Sequence, residues 1–203
     1  MKKIIYLLIL VFAAGIYSCS GVSDAVTNAQ KLQWKLGNVS GMKVSGVNIS
    51  NVSSMTQINA MDLLKITNDF ASGKLPATFT LNLLAKNPEK SGGTQNSTDV
   101  IRSVKWRLLV DNKETINGNV SGPITIPGVG QTSTIPVAMS LDLLQIFQNE
   151  GMQNLISLAL GMGGSQGSAA RLSLKIQPTI DTFLGSITYP GEITVIDKEF
   201  RSK

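Results

Sequence analysis

The sequence has 203 residues, of which 42% are hydrophobic and 15% charged, and its formal net charge is +5. This length suits one domain of ordinary size with a leader, and the apolar fraction is too high for a disordered chain. The basic residues are scattered singly, which argues against a nucleic-acid binder because such proteins gather Lys and Arg into a patch. The chain contains one cysteine and no histidine, which excludes a Ser-His-Asp triad and the usual zinc sites.

The chain begins with the pattern of an export signal. Lys2 and Lys3 precede an apolar run from Ile4 to Ile16, which has the length of a signal-peptide core and is too short for a transmembrane helix. The run ends at Ile16-Tyr17-Ser18-Cys19. This segment resembles the end of a bacterial lipoprotein signal of the Bacteroidetes type, in which the cysteine is diacylated and becomes the mature N-terminus.

Three other roles are possible for Cys19, and the sequence favours each of them less than acylation. An ordinary signal peptidase could cut nearby, a disulfide would have to join two molecules, and a nucleophile would lack a histidine to activate it. We therefore predict a signal peptide over residues 1–18 and a lipidated tether over 19–30. The resemblance implies a chain held in the cell envelope by acyl groups on Cys19, at the outer membrane rather than the inner one.

Period-two alternation dominates the remainder of the chain. Alternate apolar residues in "TFTLNLLAK" and "VKWRLLVDN" predict two strands, each with one buried face, separated by Asn87-Pro88. Asp111-Asn112-Lys113 predicts a tight hairpin turn after the second. Further strands are predicted in "KLQWKLGNVSGMKVSGVNIS", in the Gly- and Pro-punctuated segment after residue 115, in "ARLSLKIQPTI" and in "GEITVIDKEF".

Two segments carry helical spacing instead. "NAMDLLKITNDFASG" places Met61, Leu64, Ile66 and Phe70 at near-helical intervals and stops at Gly73. "LDLLQIFQNEGMQNLISLALGMGG" predicts a second helical segment, interrupted at Gly151 and closed by the glycines from 161 onward. We therefore predict a single domain over 31–203. Its fold class is mainly β, an antiparallel β-sandwich of the fibronectin III or immunoglobulin kind with one or two short helical crossovers.

The order of these features resembles a known family. A strand ending in Asn-Pro, the strand "VKWRLLVDN", a glycine-bearing segment and two Ile-Pro pairs are similar to the late-embryogenesis-abundant (LEA) type 2 domain, also called the water-stress and hypersensitive-response (WHy) domain. The resemblance implies a small β-sandwich placed in bacteria on exported or lipid-anchored chains, with stress protection or binding of apolar molecules as suggested roles. The matching residues are Asn87, Pro88, Gly118, Pro127 and Pro136.

The sequence is poor in catalytic groups. Its aspartates lie singly at the ends of elements, where capping and turn roles are usual. The glycines of "GMGGSQG" miss the spacing of a dinucleotide-binding loop, which favours a mobile helix exit or loop. Trp34 and Trp106 lie on alternating strands, which favours core packing over ligand stacking. We expect a non-enzymatic protein without cofactor or metal, although a hydrolase with unusual machinery remains an alternative.

One apolar segment suggests ligand binding. The helix and Met-Gly exit of "NLISLALGMGG" are richer in apolar residues than a surface crossover requires, so they predict either plain core packing or a lid over an apolar cleft. The first function hypothesis is a module that binds or protects an apolar ligand, such as a lipid, or a partner near the membrane. The second is a structural or assembly lipoprotein that contacts another envelope protein. The possible ligand-lining residues are Ile146, Phe147, Met152, Leu155, Leu158 and Met162.

Overall fold

The computed structural model describes residues 32–88, 100–125, 128, 130–182 and 185–201. These residues form two antiparallel sheets that share one hydrophobic core. The predicted mainly β, sandwich fold is therefore confirmed. The first sheet has the order β2-β1-β3-β6, with β1 (Gln33–Val44), β2 (Val47–Asn48), β3 (Pro76–Lys86) and β6 (Thr132–Asp142). The second has the order β5-β4-β7-β8, with β4 (Val100–Val110), β5 (Lys113–Thr125), β7 (Leu172–Thr182) and β8 (Gly185–Thr188). A short fifth strand of this sheet, β9 (Ile193–Val195), also pairs with β7.

The central strands β3 and β4 supply much of the core because their side chains alternate as predicted. The inward row of each strand is buried, whereas Lys105 and Arg107 point outward. Asp111 and Asn112 join β4 to β5 with φ angles of 49° and 63°, as a two-residue turn between twisted strands requires. The buried rows are Ala77, Phe79, Leu81, Leu83 and Ala85 on β3 and Val104, Trp106, Leu108 and Val110 on β4.

Among the described residues, three α-helices accompany the sheets: α1 (Ala60–Ala71), α2 (Leu143–Ile146) and α3 (Met152–Gly163). The α1 helix joins two strands of the first sheet, and α2 and α3 carry the chain from β6 to β7 in the second sheet, which is the predicted helical crossover. The predicted break at Gly151 is present, since this residue is the N-cap of α3. No helix in the described ranges is long and apolar enough to cross a membrane.

The predicted end of α1 at Gly73 is confirmed in detail. Gly73 has a φ of 78°, and the amide of Lys74 donates to the carbonyl of Asp69 at 3.0 Å. This left-handed glycine with its six-to-one hydrogen bond is a Schellman motif.

The apolar residues of α1 do not share one face. Ile66 is buried with Phe70 half-buried beside the core, whereas Met61 and Leu64 are 76% and 53% exposed. The reason is helical geometry, because Leu64 and Ile66 are two residues apart and point about 200° apart around the helix. Leu63 takes the inward position instead.

The C-terminal segment departs from the predicted long strand. Only Ile193–Val195 pairs with β7, and the chain then crosses to the first sheet. There the amide of Leu36 donates to the carbonyl of Ile196 at 2.9 Å, and Trp34 and Arg201 exchange two backbone hydrogen bonds of 2.7 and 2.9 Å. The C-terminal segment thus covers the edge of β1 that β3 leaves open.

The strand registers define two poles of the sandwich. At one pole β1 begins, β3 ends and β6 begins, since Gln33 pairs with Lys86 and Lys86 with Thr132. Thr125, the last residue of β5, lies at this pole too. Only six residues connect it to Thr132, the first residue of β6, and six residues cannot span the length of the sandwich. We call this end the tether pole. The opposite end, where α1 to α3 begin or end, is the helical pole.

Gly118 has a packing reason to be glycine. It pairs with Trp106 across β4 and β5, and a Cβ added to it would lie 2.4 Å from Cζ2 of the Trp106 ring. Trp106 is only 8% exposed, and a displaced indole would have to move against the filled core. The family resemblance at this position therefore corresponds to a steric requirement of the sandwich.

Gly118→Ala is expected to destabilise the fold by about 1–3 kcal/mol, the usual cost of overpacking. The matched control is Gly161→Ala, because a Cβ at this helical position meets no atom within 4 Å, and alanine there is expected to stabilise by about 0.5–1 kcal/mol. Urea unfolding followed by tryptophan fluorescence measures both. Equal stability of Gly118→Ala and the unsubstituted chain would contradict the steric argument.

Candidate functional site

The residues on which the family resemblance rests do not form one site. Those that the structure describes have backbone or packing roles. The backbone of Asn87 donates to Gln131 at 3.1 Å and accepts from Gly130 at 2.9 Å, which fixes the end of β3 against the turn before β6. Pro88 follows directly outside the strand. Pro136 lies on β6, an edge strand, where a missing amide hydrogen is tolerated. Cys19 and Pro127 lie outside the described residues.

Both tryptophans are buried, which confirms the prediction that they belong to the core. Trp34 is 0% and Trp106 8% exposed. Neither indole N–H has a hydrogen-bond partner among the described residues.

The six possible ligand-lining residues divide into two groups. Leu155, Leu158 and Met162 are buried on α3, which packs against β1 and the 3₁₀ turns at 55–57 and 169–171. The other three, Ile146, Phe147 and Met152, are half-buried. Their role in ligand binding stays a prediction, and the packing of α3 is that of a core helix.

The glycines that end α3 allow close contact with the first sheet. A Cβ at Gly163 would lie 2.6 Å from Cβ of Met42, and one at Gly164 would lie 2.5 Å from the carbonyl oxygen of Val52. The "GMGGSQG" segment is therefore a helix exit, as predicted, but it is tightly packed rather than mobile.

Two open depressions lie on the outer face of the second sheet, with volumes of about 450 and 480 Å³. They share Asn119 and together form a polar region that we call the outer strip. None of the six apolar residues lines either depression. The side chains of the outer strip come from β4, β5 and β7 and from the turn before β9: Arg102, Lys105, Arg107, Asn117, Asn119, Ser121, Gln177, Asp181 and Glu192.

Arg107 organises one half of the outer strip. Its guanidinium contacts Glu192 at 2.5 Å and Glu114 at 2.6 Å. These hydrogen bonds, the one to Glu192 foremost, raise the pKa of Arg107. The same guanidinium holds the pKa of Glu192 below its usual value of 4.5. Glu192 is therefore ionised at neutral pH and is a poor proton donor.

Asp181 is held in the same way in the other half. It accepts from the Ser186 hydroxyl at 2.6 Å and from Arg102 Nε at 2.7 Å. These two hydrogen bonds, in that order of effect, lower the pKa of Asp181. Both carboxylates are thus charge-neutralised.

The outer strip is suited to hydrogen bonding rather than to proton transfer. Lys105 has no carboxylate partner among the described side chains, whereas the amide groups of Asn119 and Gln177 already donate to Ser121 and to the Tyr189 carbonyl. In the part of the chain that the structure describes, no three potential metal ligands cluster. The outward position of Lys105 and Arg107 followed from alternation. Glu192 was missed because it lies 85 residues from Arg107.

Comparison with known proteins gives little further information. No family model and no curated protein matches the sequence. Among solved structures, a crystal structure of a protein from Archaeoglobus fulgidus has a TM-score of 0.31 and 11% identity over 62% of this chain and 86% of that one. A solution structure of a candidate LEA protein has a TM-score of 0.37 and 15% identity over 100% of this chain and 88% of that one. At these scores neither likeness establishes a fold or a function for the chain.

The ion pairs of Arg107 make a pH-dependent contribution to stability. Because the folded pKa of Glu192 is lowered, the stabilisation is complete above pH 4.5 and is lost as the pH falls through the lowered value. In Arg107→Gln, stability is expected to fall less between neutral and acid pH than in the unsubstituted chain. Urea midpoints across this range measure the difference, with Lys105→Gln as the control that removes a cation without an ion pair. Parallel curves for Arg107→Gln and Lys105→Gln would contradict the account.

Core packing of α3 is also testable. Leu155→Ala is expected to cost about 2–5 kcal/mol of global stability, the usual range for truncation in a filled core. Met61→Ala, on the exposed face of α1, is the control and is expected to change stability by less than about 0.5 kcal/mol. A lid that opens independently of the core would instead leave the urea midpoint of Leu155→Ala nearly unchanged, with only the amide hydrogens of α3 exchanging faster.

Proposed function

We propose that this chain is a membrane-anchored envelope lipoprotein whose LEA type 2-like sandwich is a non-catalytic binding module for a partner near the membrane. The observation that carries the proposal is the single cysteine of the chain, which ends a signal-peptide pattern and is separated by 12 residues from Leu32, the first described residue. Two or three acyl chains on Cys19 would make attachment stable, whereas one chain alone would bind only reversibly.

The described surface supports contact with a partner more than enclosure of a small apolar ligand. The inward residues of α3 are taken up by packing against β1, and both depressions on the second sheet are open to solvent rather than enclosed. Met61 and Leu64 are instead the large apolar side chains that the described surface exposes most. They lie on α1, at the helical pole.

The anchor has a direct test in cells. A palmitate analogue is expected to label the unsubstituted chain and to fail to label Cys19→Ala, since no other cysteine offers a thioether site. Ser18→Ala, which keeps a small residue before the cysteine, is the matched control and should label normally. Equal labelling of Cys19→Ala and the unsubstituted chain would overturn the anchor.

A further inference from the structure

Two lysines converge on one aromatic ring at the tether pole. Lys35 on β1 and Lys86 on β3 both point away from the core, because each is adjacent in sequence to buried residues of its strand. Their Nζ atoms lie 5.9 and 5.7 Å from the centre of the Phe200 ring. We call this group the Lys35–Phe200–Lys86 cluster.

The position of the ring is fixed by the backbone. The next residue, Arg201, exchanges two backbone hydrogen bonds with Trp34, which is fully buried. Phe200 is therefore held beside β1. The backbone therefore fixes the place of the cluster on the outer face of the first sheet.

The charges of the cluster are not balanced within the described part of the chain. Neither Lys35 nor Lys86 has a carboxylate within ion-pair distance among the described residues, and Glu199, the nearest acidic residue in sequence to Phe200, is paired with Arg201 at 3.0 Å. A ring attracts an exposed cation only weakly, and two ammonium groups drawn to one ring repel each other. Because each Nζ lies within 6 Å of the same ring centre, the two ammonium groups are at most about 12 Å apart, and one anionic surface can contact both.

The source of this anionic surface follows from where the chain leaves the fold, and this step rests on the proposed anchor at Cys19. Twelve residues separate Cys19 from Leu32, and they reach at most about 40 Å when fully extended. The strands carry the helical pole roughly 35 Å further away from the point where β1 begins. The tether therefore confines the tether pole, and the cluster on it, to within about 40 Å of the membrane, whereas the helical pole can extend roughly 35 Å beyond that distance.

We propose that the Lys35–Phe200–Lys86 cluster docks the anchored domain on the phosphate headgroups of anionic lipids. The two ammonium groups donate to headgroup phosphate oxygens, and the ring of Phe200 contacts the interfacial region between them. Docking turns the helical pole, with Met61 and Leu64, away from the membrane and toward a partner.

The test uses the full acylated chain reconstituted in phosphatidylcholine vesicles with and without phosphatidylglycerol. The rate at which a water-soluble amine reagent modifies each lysine is measured by peptide mass spectrometry. Lys35 and Lys86 are expected to react about fivefold more slowly on anionic vesicles, and high salt should abolish the difference. Lys105, on the outer face of the other sheet, is the internal control. Equal rates at Lys35 and Lys86 in both kinds of vesicle would overturn the docking.

A variant pair tests the same contact without lysine chemistry. Phe200→Trp places a reporter at the cluster, and its quenching by brominated lipids is measured against the chain that retains Phe200. Adding Lys35→Gln and Lys86→Gln should abolish the extra quenching on anionic vesicles. Adding Lys43→Gln and Lys74→Gln, which remove the same charge at the helical pole, should leave it. Equal loss in both charge variants would overturn the assignment to the cluster.

Two further arms separate the possible failures. Flotation of the chain with phosphatidylcholine vesicles reports the anchor alone, so a chain that floats without lysine protection contradicts the docking but not the anchor, and a chain that does not float contradicts the anchor. Inorganic phosphate added to neutral vesicles tests a free anion as the ligand. Protection of Lys35 and Lys86 by inorganic phosphate to the same extent as by anionic lipid would overturn docking on the membrane.

Discussion

The opposed apolar faces of β3 and β4 are the constraint on which the remainder of the structure depends. Each is a central strand whose inward side chains are almost completely removed from water, so each needs paired strands on both sides and a covering sheet. The glycine at 118 is imposed by Trp106 on that same inward face of β4. The helices and the C-terminal segment cover what the two sheets leave open: α3 packs over β1, and residues 196–201 pair with the edge of β1.

This arrangement gives the molecule two different ends. The tether pole contains the start of β1 with Lys35, the end of β3 with Lys86, and the C-terminal segment with Phe200. The helical pole holds α1, which is attached to the core through Leu63, Ile66 and Phe70 and exposes Met61 and Leu64. With the proposed anchor at one end and two exposed apolar side chains at the other, the sandwich would suit a module that holds a partner at a set distance from a membrane. The outer strip of the second sheet, with its ion pairs at Arg102 and Arg107 and with Lys105 unpaired among the described side chains, is consistent with a solvated side between the two ends.

Local patterns predicted the local structure well. Alternation identified the buried faces of β3, β4 and β7, Asp111 and Asn112 gave the hairpin, and Gly73 and Gly151 marked helix boundaries. Features that depend on register or on distant contacts were not predictable from one sequence. The ion pair between Arg107 and Glu192 and the approach of Phe200 to Lys35 and Lys86 arise only when the chain has folded. The exposed face of α1 was not predicted, because Met61 and Leu64 are apolar and have helical spacing. A second apolar row of the same helix packs on the core instead: Leu63, Ile66 and Phe70.

The proposed function depends on Cys19 being the attachment point that would hold the sandwich at the membrane. The most direct measurement is the intact mass and N-terminal peptide of the chain purified from the membranes of the cells that make it. If Cys19 is the attachment point, the mature chain begins at Cys19 and carries a diacylglycerol group on its sulfur. A chain that begins at another residue, or one that begins at Cys19 with an unmodified thiol, would contradict it.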